Sequence, residues 1–177
     1  MSVLANSIVV RRGTPADIET LARVGSESFR EAYGPHSSAA DLESHIARNF
    51  SLDAVRNSFT AGQSAYYLAS VDGEPAGLAK LRLAGCPLPE GESNALEIQQ
   101  LYVLAEMRRH GLGRQLVARA FEHAKAAAVT GVWLSAWEFA DWAIRFYTSV
   151  GFEAIGKVEF KLGSTSYTDM LMWRPLS

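Results

Sequence analysis

The stretch "ALEIQQLYVLAEMRRHGLGRQLVARAFEHAK", residues 95–125, contains the change of pattern that decides the fold. Its first ten residues, 95–104, predict a strand. From Leu112 onward, apolar residues recur at three- and four-residue intervals, which predicts an amphipathic helix. Between the two lies "RRHGLGR", residues 108–114, with three arginines, two glycines and no acid. A strand therefore turns into a helix through a basic, glycine-rich loop.

This loop has the chemistry of a phosphate site. The first N–H groups of a helix have no partner within the helix, and the helix dipole adds partial positive charge there. Glycines allow the backbone to approach an anion closely. Two nucleotide motifs are excluded, because Leu116 stands where a dinucleotide fingerprint needs its third glycine and no Gly-Lys-Ser/Thr triplet follows. The alternative interpretation is a basic surface turn.

Composition narrows the class of protein. The 177 residues are 48% hydrophobic, which predicts one domain over 1–177 with a sizeable core. A net charge of -2 gives no general basic excess, so we expect no nucleic-acid partner. Cys86 is the only cysteine, which excludes an internal disulfide framework. We see no signal peptide and no membrane-spanning run, so we expect a cytoplasmic protein without a membrane partner.

The rest of the chain alternates strand and helix patterns. Strands are predicted at 8–12, 64–71, 76–84, 131–137, 152–162 and 165–176, and helices after Thr14, around 42–50 and 52–59, and at 141–150. The order β-αα-ββ-β-α-β-α-ββ indicates a mixed α/β domain.

Two motifs resemble signatures of the Gcn5-related N-acetyltransferases. Arg108-x-x-Gly111-x-Gly113 is similar to that family's pyrophosphate-binding motif, Arg/Gln-x-x-Gly-x-Gly/Ala at a strand-to-helix junction. "WEFADWAIRFYTSVGF", residues 137–152, resembles its second signature, an Ala-Ile-x-Phe-Tyr run leading to Gly-Phe. With the opening at 9–21, the resemblance covers nearly the whole chain. Ala140 replaces the family's usual asparagine, which puts one contact to the pantetheine arm in doubt.

The resemblance implies a mixed, mostly antiparallel, splayed sheet flanked by helices, with acetyl-CoA as cosubstrate and no metal. It implies that the end of the strand before the glycine-rich loop, Leu101 to Val103, pairs with the pantetheine amides. It also implies that the loop holds the pyrophosphate. The implied cofactor-binding residues are Leu101, Tyr102, Val103, Arg108, Arg109, His110, Gly111, Leu112, Gly113, Arg114 and Tyr147.

Acetyl transfer to an amine needs a neutral amine held close to the thioester, a hydrogen-bond donor to the oxyanion that forms, and a proton for the leaving thiolate. The resemblance implies that Tyr147 supplies that proton; the alternative is a packed core tyrosine. The resemblance implies that Glu97 is the candidate base, because some members of the family place their catalytic glutamate eleven residues before the arginine that matches Arg108. Strand alternation predicts that 97, 99, 101 and 103 share one face. Alternatively, Glu97 binds only water or substrate. The oxyanion donor is expected to be the N–H of Val103 or its neighbour.

The acceptor is expected to lie against the first two helices. Glu31 and Tyr33, beside the helix break at 33–38, are the candidate acceptor-binding residues. The acidic content of 27–43 and a resemblance to the bacterial spermidine/spermine acetyltransferase branch predict a small primary amine, with a polyamine as the first choice. A peptide N-terminus, an antibiotic amine and a non-catalytic acetyl-CoA-binding module stay open as alternatives, and so does a homodimer.

Overall fold

A computed structural model describes residues 6–88 and 90–177, which form one seven-stranded sheet with helices on both faces. The strands are β1 Ile8–Arg12, β2 Ser64–Val71, β3 Glu74–Leu83, β4 Ala95–Val103, β5 Gly131–Trp137, β6 Glu153–Leu162 and β7 Thr165–Pro175. The helices are α1 Ile18–Tyr33, α2 Ala39–Phe50, α3 Leu52–Ala61, α4 Leu112–Ala126 and α5 Asp141–Ser149. Three 3-10 turns lie at Pro15–Asp17, Gly34–His36 and Ala105–Met107.

The two faces of the sheet bury different helices. On one face, Leu112 and Leu116 of α4 pack into the main core with Leu81 and Ile98. On the other face, Leu21 of α1 heads a second cluster, and α2 and α3 pack against α1. Both helices have the apolar spacing of amphipathic helices, so burial of one stripe against the sheet explains their places. The predicted α/β class and a mostly antiparallel sheet are confirmed.

The sheet opens between β4 and β5, the parallel pair in the order β1-β2-β3-β4-β5-β7-β6. These two strands pair only from Ala95 opposite Gly131 to Glu97 opposite Trp133. Beyond these pairs β4 stays bonded to β3, and β5 stays bonded to β7. A V-shaped gap therefore separates 98–103 from 134–137, as the resemblance implies.

A bulge in β4 changes which side chains share a face. Gln100 lies opposite Lys80 but Ile98 lies opposite Leu81, so Gln99 is an extra residue in β4. The expectation that 97, 99, 101 and 103 share one face is therefore wrong. The Glu97 side chain shares the α1 face with those of Gln100 and Tyr102, whereas Leu101 and Val103 pack on the α4 side.

Candidate functional site

The loop before α4 leaves open space at the helix N-terminus. Arg109 and Gly111 have φ values of 70° and 87°, in the left-handed region where glycine costs least. A Cβ added at Gly111 would meet nothing within 4 Å. The first N–H groups of α4 face this space, since a helix leaves them without internal partners. The loop therefore offers open space and helix N–H groups at the positive end of the helix dipole, an arrangement that suits an anion.

Gly113 is needed for close packing of two helices. A Cβ there would lie 2.9 Å from the ring of Phe146 on α5. Because real Cβ contacts are longer, any side chain at 113 would force the Phe146 ring to shift. The second glycine of the motif thus lets the Phe146 ring of α5 pack against the start of α4.

The loop side chains take different directions. Arg108 Nε donates to the Val103 carbonyl at 3.2 Å, and Arg114 donates to Ser149 Oγ at 3.2 Å. His110 Nδ1 lies 3.1 Å from the Arg108 carbonyl, and its residue is exposed. All the predicted phosphate-loop residues except His110 line one cavity.

That cavity fills the gap between β4 and β5 and has a volume of about 640 Å³. Its walls come from the phosphate loop, the gap-facing residues of both strands, the end of α1 and the start of α5. The principal lining residues outside the loop are Tyr33, Ile98, Gln99, Leu101, Tyr102, Val103, Ser135, Ala136, Ala140, Trp142, Phe146 and Tyr147. An extended ligand lying along β4 would reach from the loop to Tyr147.

The gap side of β4 offers main-chain groups to such a ligand. Leu104 N donates to Ala76 O, toward β3. Since successive N–H groups of a strand point to opposite edges, the N–H of Val103 points into the gap. The Val103 carbonyl points the same way and accepts from Arg108. The strand end is thus available for backbone pairing with a ligand.

Tyr147 stands on α5 and lines the cavity. Its ring packs against Phe146 and Phe152, with centroids 5.2 and 5.9 Å away. Burial, with the charge of Tyr33 as a smaller cause, raises the pKa of the Tyr147 hydroxyl above its usual value. The phenol therefore carries its proton at neutral pH and is able to donate it.

Tyr33 lines the cavity, but Glu31 is occupied elsewhere. Glu31 Oε2 accepts from Ala105 N at 2.8 Å and lies 4.0 Å from an Arg108 nitrogen. The other acids of 27–43 are also engaged, as Glu27 pairs with Arg23, Glu43 with Arg30, and Asp41 with Ser164 and Thr165. Glu31 therefore supports the loop before α4, and does not line the cavity.

Glu97 also lies outside the cavity lining. Its carboxylate pairs with Arg82, the residue opposite it on β3. The Arg82 guanidinium compensates the charge of this carboxylate. The bulge at Gln99 brings that amide to the cavity in its place.

Several cavity residues were missed from the sequence. Ser135 and Trp142 line the cavity, and Asp169 lies on β7 behind it, opposite Trp137. Asp169 is only 5% exposed, and its Oδ1 has no hydrogen-bond partner among the described residues. The signal was present, since alternation along β7 places Asp169 on the same face as Leu171 and Trp173, and an acid on a buried face is rare.

Ala140 takes the position just before α5. It is buried and lines the cavity. A methyl group there offers no amide to a ligand, so the side-chain contact put in doubt by the sequence is absent. Among residues 6–88 and 90–177, no three acids, histidines or cysteines are grouped as metal ligands, and no helix is long and apolar enough to span a bilayer.

Comparisons with known proteins agree with this geometry. The acetyltransferase (GNAT) family model matches residues 25–152. An uncharacterized N-acetyltransferase from the pepI 3′ region of Lactobacillus delbrueckii subsp. lactis is 29% identical over 160 residues, 90% of this chain and 92% of the relative. The uncharacterized N-acetyltransferase YjgM of Escherichia coli K12 is 28% identical over 168 residues, 95% and 93% of the two chains.

A solved structure has the same fold. The PaiA N-acetyltransferase of Thermoplasma acidophilum, in complex with coenzyme A, superposes with a TM-score of 0.76 at 21% identity and covers 96% of this chain and 99% of its own. None of these three relatives is named for an acceptor amine. The family model spans more than half of the chain, so the chain belongs to the acetyltransferase (GNAT) family and is an N-acetyltransferase.

Proposed function

We propose that this enzyme transfers the acetyl group of acetyl-CoA to a primary amine by direct attack on the thioester. The single observation that carries this proposal is the cavity between β4 and β5, which is lined both by the glycine-rich loop before α4 and by Tyr147. The coenzyme A in the Thermoplasma relative supports the choice of donor.

The residues present would suit two parts of acetyl-CoA, its pyrophosphate and its pantetheine arm. The N–H groups at the start of α4 would hold the pyrophosphate, with Arg109 and Arg114 adding positive charge. The gap edge of Leu101–Val103 would pair with the pantetheine amides as another strand does. His110, which does not line the cavity, would contribute through its main chain.

Two groups of the chain would then act at the thioester. The N–H of Val103, directed into the gap, would donate to the oxyanion that forms on attack. Tyr147 would give its proton to the leaving sulfur, since its raised pKa keeps the hydroxyl protonated at neutral pH before the transfer. The half-buried ring of Tyr33 and the end of α1 would bound the acceptor side.

For the acceptor we propose a primary aliphatic amine and, within that class, a polyamine. The acidic content of 27–43 supports a cationic acceptor, but each of its four acids is already paired within the protein. Attraction of a distal ammonium would therefore be weak and screened by salt. Action in the cytoplasm and assembly as a homodimer stay predictions.

A panel of amines tests the acceptor. With free CoA thiol as the readout, we expect spermidine to exceed a monoamine of similar length by less than about tenfold, since an exposed charge pair contributes about 1 kcal/mol or less. The advantage should shrink as salt rises. Glu31→Gln should raise the KM for acetyl-CoA and leave the ratio of the two amines unchanged. Activity confined to peptide N-termini or aminoglycosides would contradict the polyamine proposal.

A Glu97→Gln variant tests the sequence-based candidate base. Because Arg82 already compensates Glu97, we expect a modest loss of activity that is the same from pH 6 to pH 9. The measurement is kcat/KM for the amine across that range. A loss greatest near neutral pH and recovered at high pH would show that Glu97 is the base after all.

A further inference from the structure

One buried carboxylate on β7, that of Asp169, has no task in the proposed function. Asp169 points to the α1 face of the sheet with Trp137, its cross-strand partner on β5. It is 5% exposed, Oδ1 has no hydrogen-bond partner, and no ion pair involves it within the part of the chain that the structure describes. A buried charge without compensation is costly, so its retention needs a reason.

Ser135 connects this buried carboxylate to the cavity. Ser135 lies two residues before Trp137, so both side chains share the face of Asp169. Ser135 is exposed and lines the cavity, and it is a diagonal neighbour of Asp169, because Ser135 pairs with Leu171 and Trp137 pairs with Asp169. A ligand in the cavity can therefore contact Ser135, whereas Asp169 is buried from solvent.

The other groups near Asp169 are unsuited to accept a proton. Burial, then the charge of Asp169, raises the pKa of Tyr33, and burial above all raises that of Tyr102. These phenols stay protonated at neutral pH. Burial also raises the pKa of Asp169 to about 6, with the Ser135 hydroxyl opposing the shift. At pH 7 Asp169 is therefore mostly ionised, and it is a base in mostly apolar surroundings.

Aromatic rings also surround Trp137, the cross-strand neighbour of Asp169. Trp137 has Tyr33, His36 and Tyr167 as ring neighbours, with centroids 6.4, 5.1 and 5.8 Å away. Aromatic faces attract alkylammonium groups, more strongly where water is excluded. Val158, the partner of Asp169 on β6, adds an apolar neighbour.

We propose that Ser135 and Asp169 form a proton relay that receives the first proton of the acceptor ammonium. This rests on the proposed function and names the base for it. The ammonium N–H donates to Ser135 Oγ, whose own proton moves to Asp169, and the neutral amine then attacks the thioester carbon. The C–N bond forms, the C–S bond breaks and sulfur takes the proton of Tyr147. The amine nitrogen returns its second proton to the Tyr147 oxygen, and Asp169 releases the first to solvent.

The pH dependence of Asp169→Asn tests the relay. Wild type should show an acid limb in kcat/KM for a primary alkylamine near pH 6 and a plateau above it. Asp169→Asn should lose about 100-fold at pH 7, within the usual range for general base catalysis, and rise steadily toward wild type at pH 9 and above as free amine accumulates. Ser135→Ala should follow the same altered profile, and binding of acetyl-CoA should be unchanged in both.

Two control variants distinguish loss of the relay from two other effects. One effect is the loss of any acidic side chain, and the other is the titration of the neighbouring histidine. Asp53→Asn makes the same chemical change on α3, where Asp53 is paired with Arg56, and should retain wild-type activity. Among the described residues, His36 is a further titratable side chain whose ring contacts Trp137. His36→Gln should keep the acid limb of the kcat/KM profile.

Stability provides a second readout that does not need turnover. The folded state holds the Asp169 proton more tightly than the unfolded chain, so ionising it lowers stability as pH rises from about 4 through 6. Asp169→Asn should therefore raise the unfolding temperature by several degrees at pH 8 and leave it unchanged near pH 4. A lowered unfolding temperature at pH 8 would assign Asp169 a structural role and overturn the relay.

The two proposals fail in distinguishable ways. Wild-type protein that binds acetyl-CoA but acetylates no amine would overturn the proposed function and the relay with it. Wild-type turnover with the same pH profile in Asp169→Asn would overturn the relay alone.

Discussion

Replacing Gly111 with Asp should abolish acetyl-CoA binding. The Cβ would enter the open space where the phosphates are proposed to bind, and φ at 111 is 87°, which a side chain rarely adopts. A carboxylate about 5 Å from a phosphate charge costs about 3 kcal/mol at an effective dielectric constant of about 20. Affinity measured by calorimetry should thus fall at least about 100-fold.

Gly73→Asp is the matched control for this variant. Gly73, in the β2–β3 turn, has a φ of 86° and also meets nothing within 4 Å of an added Cβ. It should suffer the same backbone strain and retain acetyl-CoA affinity. Unchanged acetyl-CoA affinity in Gly111→Asp would show that the loop does not bind the phosphates. Equal losses of affinity in both variants would show that backbone strain alone causes the effect.

Replacing Tyr147 with Phe should lower kcat by about ten- to a thousandfold, the scale of general acid catalysis. The ring keeps its packing against Phe146 and Phe152, so acetyl-CoA affinity should change little. Burial raises the pKa of the Tyr147 hydroxyl, so the wild-type acid should stay competent through pH 9. Steady-state kinetics with a primary amine in excess provide the measurement.

Tyr67→Phe makes the same change away from the cavity. Tyr67 Oη lies 3.2 Å from His123 Nδ1, between β2 and α4, so its loss should leave kcat intact. If Tyr147→Phe instead lost acetyl-CoA affinity and kcat in equal measure, Tyr147 would be a packing residue.

The sequence predicts the fold well because its signals are local. Alternation along β2 and β5, the turn at Asp72–Gly73 and the apolar stripe of α4 each act over a few residues, and the structure has these elements where the pattern predicts them. The phosphate loop was predictable for the same reason, since glycines, arginines and a helix N-terminus are adjacent in the chain.

The side-chain partners were not predictable from the sequence alone. One extra residue in β4 reversed the expected facing of Glu97, and a bulge depends on pairing with a distant strand. The sequence shows no partner for the acids of 27–43. In the structure, Glu31 accepts a hydrogen bond from the Ala105 N–H, and Asp41 accepts one from the β6–β7 turn. Asp169 reaches Ser135 only through the β5–β7 register.

The central claim is transfer of an acetyl group, and isotope transfer tests it most directly. Wild-type protein should be incubated with acetyl-CoA labelled with ¹³C in the acetyl group and a primary alkylamine, with Gly111→Asp as the inactive control. Mass spectrometry should find one labelled acetyl group on the amine nitrogen for each CoA thiol released. Tight binding of acetyl-CoA with no labelled amide, or thiol release matched only by free acetate, would contradict the account.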